Sequence, residues 1–150
     1  MAKVLLTGMS GAGKTTLLDA LAARGHLTVD TDHHGWTRPD GLWDEPRMAA
    51  LLDQQPAVVV SGTVENQGRF YDRFTHVVLL SAPLDVLLER VRRRTTNPYG
   101  QTPEQVAEIR HNVAQVEPLL RRGASLELDT RQPVEQLTDV VEGLLIGSDQ

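Results

Sequence analysis

The chain has 150 residues, 40% of them hydrophobic and 23% charged, with a formal net charge of −5 and no cysteine. That length fits one domain, residues 1–150, with room for a real core. The acidic balance excludes broad affinity for nucleic acid or anionic membrane, and the lack of cysteine excludes a disulfide scaffold or thiolate metal site and fits a reducing cytoplasm.

No apolar run approaches the length of a bilayer span, and the few apolar residues before Gly8 are too short for a secretory signal. Val4 to Leu6 reads as a buried strand that Gly8 ends. From Lys14 to Arg24, Leu17, Leu18 and Leu21 share one helical face, and Gly25 stops the helix. Leu27 to Val29 is a second strand, running into Asp30-Thr31-Asp32. A loop follows that holds both tryptophans, Trp36 and Trp43, and the pair His33-His34. Asp44 and Pro46 start a helix carrying Met48, Leu51 and Leu52. Ala57 to Val60 and Val77 to Leu80 are continuous β-rich runs of the kind covered on both faces.

Pro83 opens a helix with Leu84, Leu87, Leu88 and Val91, which ends in Arg92-Arg93-Arg94. Residues 95–100 form a loop. Thr102-Pro103-Glu104-Gln105 is a capping box, and one helix is expected from there to Gly123, with Val106, Ile109, Val113, Val116 and Leu120 inward. Leu126 to Leu128 is the last strand, and Pro133 opens the last helix. Five strands alternating with helices predict an α/β fold: a three-layer α/β/α sandwich around a five-stranded parallel sheet.

The chain has two lysines against 13 arginines, and one of the two lies inside Gly8-Met9-Ser10-Gly11-Ala12-Gly13-Lys14-Thr15. This matches G-x-x-x-x-G-K-[ST], the phosphate-binding P-loop, between a strand and a helix as the motif requires. Gly8, Ser10, Gly11, Ala12, Gly13, Lys14, Thr15 and Thr16 are therefore the candidate nucleotide site. Glycines allow backbone N–H groups to wrap a phosphate, and the helix N-terminus faces the same anion. Lys14 reaches the β- and γ-phosphates, and the Thr15 hydroxyl is offered to Mg²⁺.

The third and fourth predicted strands end in Ser61-Gly62 and Ser81-Ala82, without the carboxylate that a P-loop hydrolase uses, and no guanine signature is present. The acids end the second strand instead. Asp30 is the candidate to hold Mg²⁺ through water, and Asp32 the candidate to accept a proton from a substrate hydroxyl. The paired histidines lack a third ligand at useful spacing, so a metal reading for them is rejected. Arg38, Arg47, Arg69 and Arg73 serve either an anionic acceptor group or the surface. Trp36 and Trp43 either stack on a ring or anchor their loop, and Asn66 to Tyr71 offers a second pocket wall.

On these residues the chain resembles the small P-loop kinases of metabolites and nucleotides, nearest in layout to shikimate and gluconate kinases. The matching positions are Gly8 to Thr16, Asp30 and Asp32, Gly62, the run Arg92 to Arg94, and Asp129-Thr130 after the fifth strand. The likeness covers nearly the whole chain as a layout, while only the first motif is specific. It implies strand order 2-3-1-4-5, ATP and Mg²⁺ as cofactors, a lid arginine (Arg94 here) on the transferring phosphate, and adenine packed near Asp129, Thr130, Arg131 and Pro133. It also implies a small-molecule acceptor and a protein working as monomer or homodimer. Two departures from shikimate kinases are visible: Ser61-Gly62-Thr63 stands where they carry a glycine triplet, and the lid lacks their arginine-proline segment. The rival readings are an ATPase or nucleotide-binding module without an acceptor, and a nucleoside or nucleoside-monophosphate kinase.

Overall fold

Strand β1 (Lys3–Thr7) is the centre of the sheet, and its residues alternate between two covered faces. The structure is a computed structural model that describes residues 2–93 and 99–147. In chain order β1 is followed by α1 (Lys14–Ala23), β2 (Thr28–Asp30), α2 (Glu45–Gln54) and β3 (Val58–Ser61). A 3-10 helix (Gln67–Arg73) then leads to β4 (His76–Ser81). The remainder is α3 (Leu84–Arg93), α4 (Pro103–Gln115), α5 (Glu117–Gly123), β5 (Leu126–Asp129) and α6 (Val134–Gly147). All five strands are parallel, in the order β2-β3-β1-β4-β5, as the resemblance implies.

Leu5 of β1 packs with Val58, Val60 and Val77 against Met48 and Leu52 of α2 and against Trp43. Val4 and Leu6 look the other way, toward Leu17 and Leu21 of α1 and Leu137 and Val141 of α6. The sheet is thus buried on both faces, which is why its strands read as unbroken apolar runs. Two helix starts follow their cap chemistry: Asp44 Oδ1 accepts from Arg47 N at 3.1 Å, and Thr102 Oγ1 accepts from Gln105 N at 3.2 Å. Among the described residues no helix is long and apolar enough to cross a membrane.

The single helix expected from Thr102 to Gly123 is two helices. α4 ends at Gln115, Val116 caps it, and α5 begins with Pro118 in its first turn. Pro118 has no N–H to give to Ala114, and its ring clashes with that carbonyl, so the ladder stops there. The apolar spacing of Val113, Val116 and Leu120 runs straight across the break.

Candidate active site

β1 delivers the chain into the glycine-rich loop at the carboxyl edge of the sheet, where α/β proteins bind ligands. Gly8 lies against β4: a Cβ there would sit 2.5 Å from Leu80 O, so no larger residue fits. Gly11 (φ 82°) and Gly13 (φ 100°) take the left-handed conformation that winds the loop. Gly13 is also the N-cap of α1 and has no side chain to cap it, which leaves the first N–H groups of the helix for an anion. Lys14 Nζ donates to Gly8 O at 2.6 Å across the loop.

A cleft of about 880 Å³ runs over this loop, lined from Met9 to Thr16 on one side. Asp30, Asp32, His33, Arg90 and Arg93 line the other. Asp30 closes β2 beside Ser61, and its Oδ1 accepts from Asp32 N at 3.0 Å in a tight turn. Thr31 between them is buried and donates to Ser61 O at 2.8 Å, so the two aspartates flanking it both face the cleft. The Asp32 carboxylate is exposed and meets no hydrogen-bond partner among the described residues. His33 Nε2 lies 3.9 Å from Asp30 Oδ2. Among the described residues no group of three or more His, Asp or Glu side chains is arranged to hold a metal.

Beside the cleft, a pocket of about 240 Å³ joins Lys14, Asp32, Thr63, Ile109 and Asn112 with the first residues of the loop. The loop from Asp32 to Asp44 borders it and is fastened from behind. Trp43 is fully buried, edge-on to Phe70 at 5.8 Å between centroids. Asn66 holds its backbone at both ends, accepting from Trp43 N at 2.9 Å and donating to Trp43 O at 3.1 Å. Gly62 closes the arrangement: a Cβ there would overlap the Thr31 hydroxyl and come within 3.3 Å of the Trp43 ring. Gly62 is therefore an internal packing position in this chain.

One expectation changes accordingly, and two open alternatives resolve. Phe70 does not wall the pocket; it belongs to the core with Trp43 and Met48, because its ring gains more from burial than from solvent. Trp43 is an anchor, while Trp36 is half-buried with the Arg47 guanidinium 4.0 Å above its ring. Of the two readings left open for the four arginines, acceptor or surface, the contacts favour the surface. Arg38 pairs with Asp40, Arg69 with Glu45 and Arg73 with Asp53, and Arg47 donates to His34 O.

On the other flank, a hollow of about 190 Å³ lies between α1 and the loop after β5, lined by Gly13, Thr16, Leu17, Arg90, Thr130 and Gln132 with Val134 and Leu137. Thr130 faces it, whereas Asp129 and Arg131 are turned onto each other at 2.5 Å. The Arg131 guanidinium pulls the Asp129 carboxyl down to about 2. Pro133 opens α6, where its carbonyl accepts from Leu137 N.

Arg94, the expected lid arginine, lies outside the described residues. Arg92 and Arg93 both pair with Glu89 on the surface of α3, and Arg93 also borders the cleft. The arginine that the sequence reading passed over is Arg90. It donates to Gly11 O at 3.2 Å, to Thr130 Oγ1 at 2.8 Å and to Thr130 O at 2.6 Å, clamping the phosphate loop to the β5 loop. Its signal was present: Arg90 stands three residues, about one helical turn, before Arg93. Thr63 and Asn112 were also missed as site residues, while Asn66 and Gln67, expected as a pocket wall, act from behind it through Trp43 and Thr7.

A phosphate loop opening directly onto a second, smaller cavity is what group transfer needs and simple hydrolysis does not; the architecture is that of a P-loop kinase of small molecules. Residues 4–111 match the family described as AAA domain. A shikimate kinase of Nitrobacter winogradskyi is 32% identical, the match covering 93% of this chain and 75% of that one. Among solved structures, a shikimate kinase from Acinetobacter baumannii in complex with shikimate aligns at a TM-score of 0.73 and 24% identity, covering 99% of this chain and 94% of that one. A gluconokinase from Sinorhizobium meliloti aligns at 0.58 and 20% identity, covering 91% and 87%. The chain belongs to the shikimate kinase-like family of P-loop small-molecule kinases. Its reaction class is ATP-dependent phosphoryl transfer to a small-molecule hydroxyl.

Proposed function

We propose that the acceptor is a small, uncharged, polyhydroxylated molecule, bound in the pocket of about 240 Å³ between Asp32, Thr63 and Asn112. That pocket is the observation carrying the reading. Among its described lining residues the cation is Lys14, which belongs to the phosphate loop, and Asp32 adds a negative charge. Asn112 adds a carboxamide with no partner among the described residues, able to donate and accept. A carboxylate acceptor would meet the like charge of Asp32 with no arginine among the described lining residues to offset it. A neutral polyol meets one acceptor group and one carboxamide, and Ile109 gives it an apolar floor.

In this reading ATP lies along the larger cleft, its adenine in the hollow at Arg90 and Thr130, with Asp129, Arg131 and Pro133 at the rim. Lys14 and the loop N–H groups hold the phosphates. The acceptor hydroxyl attacks the γ-phosphorus, ADP leaves, and the hydroxyl proton passes to Asp32. Thr15 and Asp30 fit Mg²⁺: both are oxygen donors on the cleft, and the Thr15 hydroxyl has no other partner among the described residues. When bound, the ion neutralises phosphate charge. Arg93, which borders the cleft, and Arg94 are this reading's candidates for a phosphate contact, and the whole unit works as one domain in the cytoplasm.

The test is ADP formation over a panel of neutral polyols and nucleosides beside carboxylate acceptors, shikimate among them. Acceptor-dependent ADP with a neutral compound, and none above background with shikimate, is the expected result. Efficient shikimate turnover overturns the assignment of a neutral acceptor.

A further inference from the structure

The Gly8 carbonyl oxygen is buried at the root of the phosphate loop, and it accepts two hydrogen bonds. Lys14 Nζ donates at 2.6 Å and Thr63 Oγ1 at 2.7 Å. Behind Thr63 a chain of polar groups runs into the core. Thr63 Oγ1 is 3.0 Å from Thr7 Oγ1 and 3.2 Å from Gly8 N. Gln67 Nε2 reaches Thr7 Oγ1 at 3.0 Å and Tyr71 Oη at 2.9 Å, and Gln67 Oε1 accepts from Val64 N at 3.0 Å. Thr7 and Gln67 are at most 2% exposed.

Counting protons fixes every direction in this chain. The Val64 N–H donates, so the carboxamide oxygen of Gln67 faces it and the NH₂ faces the hydroxyls; the flipped amide would oppose two donors. Thr7 then accepts from Gln67. The single hydroxyl proton of Thr63 lies on Gly8 O, so Thr63 accepts from Gly8 N and from Thr7. The order is Gln67 to Thr7 to Thr63 to Gly8 O, and the last oxygen is shared with the lysine of the P-loop.

We infer that Thr63 is a positioning residue for the nucleotide grip, and that Gln67 and Thr7 hold its hydroxyl in the donating orientation. The inference rests on the reading that Lys14 binds the β- and γ-phosphates. To reach them, the ammonium gives up its bond to Gly8 O. A buried carbonyl left without any donor is costly. Thr63 keeps that oxygen bonded whichever way Lys14 points, so transfer of the ammonium from carbonyl to phosphate strands no buried group. Without the hydroxyl, Gly8 O would hold Lys14 and compete with the triphosphate. Thr63 also lines the acceptor pocket, so the same side chain stands between the two substrates.

The experiment measures ATP and AMP affinity by calorimetry for the parent, Thr63→Val, Thr63→Ser, Gln67→Glu, Lys14→Ala and the double variant Thr63→Val/Lys14→Ala. Thr63→Val keeps shape and removes the donor. Its ATP affinity should fall by about five- to tenfold, the worth of one buried hydrogen bond. AMP, which presents no β- or γ-phosphate to the lysine, should bind as before. Thr63→Ser should return ATP affinity to within about twofold. Gln67→Glu cannot donate to Thr7 and should give a smaller loss, about threefold, which keeps the idea testable if Thr63→Val does not fold. In the Lys14→Ala background, Thr63→Val should change ATP affinity by less than about twofold, because no ammonium remains to compete. Equal losses in both backgrounds, or parental ATP affinity in Thr63→Val, overturn the inference while leaving the nucleotide site in place. A parent without ATP affinity would instead remove the reading beneath it.

Discussion

On one side of the cleft, consecutive residues from Met9 to Thr16 form the wall, and their shape is set by glycine dihedrals and the start of α1. On the other side, Asp32, Thr63, Ile109 and Asn112 come from well-separated segments and meet only because β2, β3 and α4 end or pass near one another. The first side is stiff and chemically fixed, since an anion demands little beyond N–H groups and a cation. The second is held by packing behind it: Trp43 under Gly62, and Asn66 on the Trp43 backbone. A family can therefore keep one side and change the other. Of the two departures from shikimate kinases, one falls on the assembled side, at Ser61-Gly62-Thr63, and the other in the lid.

The comparison is broken most directly at Lys14. Lys14→Ala should lower turnover by about 10²–10³-fold or more and weaken ATP binding, with the thermal midpoint close to the parent. Calorimetry and a melting curve check both halves. Asp32→Asn probes the opposite side: turnover should fall by about 10²-fold or more while ATP affinity stays near the parent value, the mark of a lost proton acceptor. If ATP affinity falls as steeply as turnover, the two sides are not separable.

Gly62→Ala tests the packing that holds the assembled side. The added methyl meets the Thr31 hydroxyl and the Trp43 ring, and should cost about 1–3 kcal/mol in a denaturant titration. Because Thr31 lies between Asp30 and Asp32, turnover should suffer more than nucleotide binding. Asn112→Ala is milder, raising the acceptor KM by about five- to tenfold with stability changed by no more than about 0.5 kcal/mol.

The smallest effect lies at the rim. The pKa of Asp129 is depressed from 3.8 to about 2, by Arg131 foremost. A depressed carboxylate stabilises the fold above its unfolded pKa, and the contribution is lost as pH falls through the folded value. The pair should thus leave stability flat above about pH 4 and weaken it only between about pH 4 and 2. Carbon-detected titration of Asp129 should give a midpoint near 2, returning to the ordinary carboxylate range in Arg131→Ala.

These residues also mark what the sequence could carry. The fold was legible because each strand is a short apolar run and each helix has its own period. The phosphate loop was legible because its chemistry is contiguous. The aspartates of β2 were found through their place at a strand end. Asn112 was not, because nothing local ties a helix residue to a loop some eighty positions earlier; only the fold brings them together. Asn66 precedes and Gln67 opens a 3-10 helix too short to show a period, and their partners Trp43 and Thr7 are distant in sequence. Arg90 was hidden by the louder run that follows it. The break at Pro118 was written in the chain, but the apolar spacing across it imitates one helix.

The central place of β1 bears on how the chain is made. Val4 pairs with Val59 on one side and with His76 on the other. Both neighbours leave the ribosome long after the strand itself, so the nascent segment Lys3–Thr7 waits with two open edges and an apolar surface until β3 and then β4 emerge. The centre of the sheet can close only after both later strands have been made, and such long-range pairing is slow. A truncated chain ending before β4 would keep the whole P-loop motif yet lack the strand whose Leu80 carbonyl walls Gly8. Nucleotide, which needs that loop shaped, would then act as a late ligand that traps the finished sheet and has no hold on the growing one.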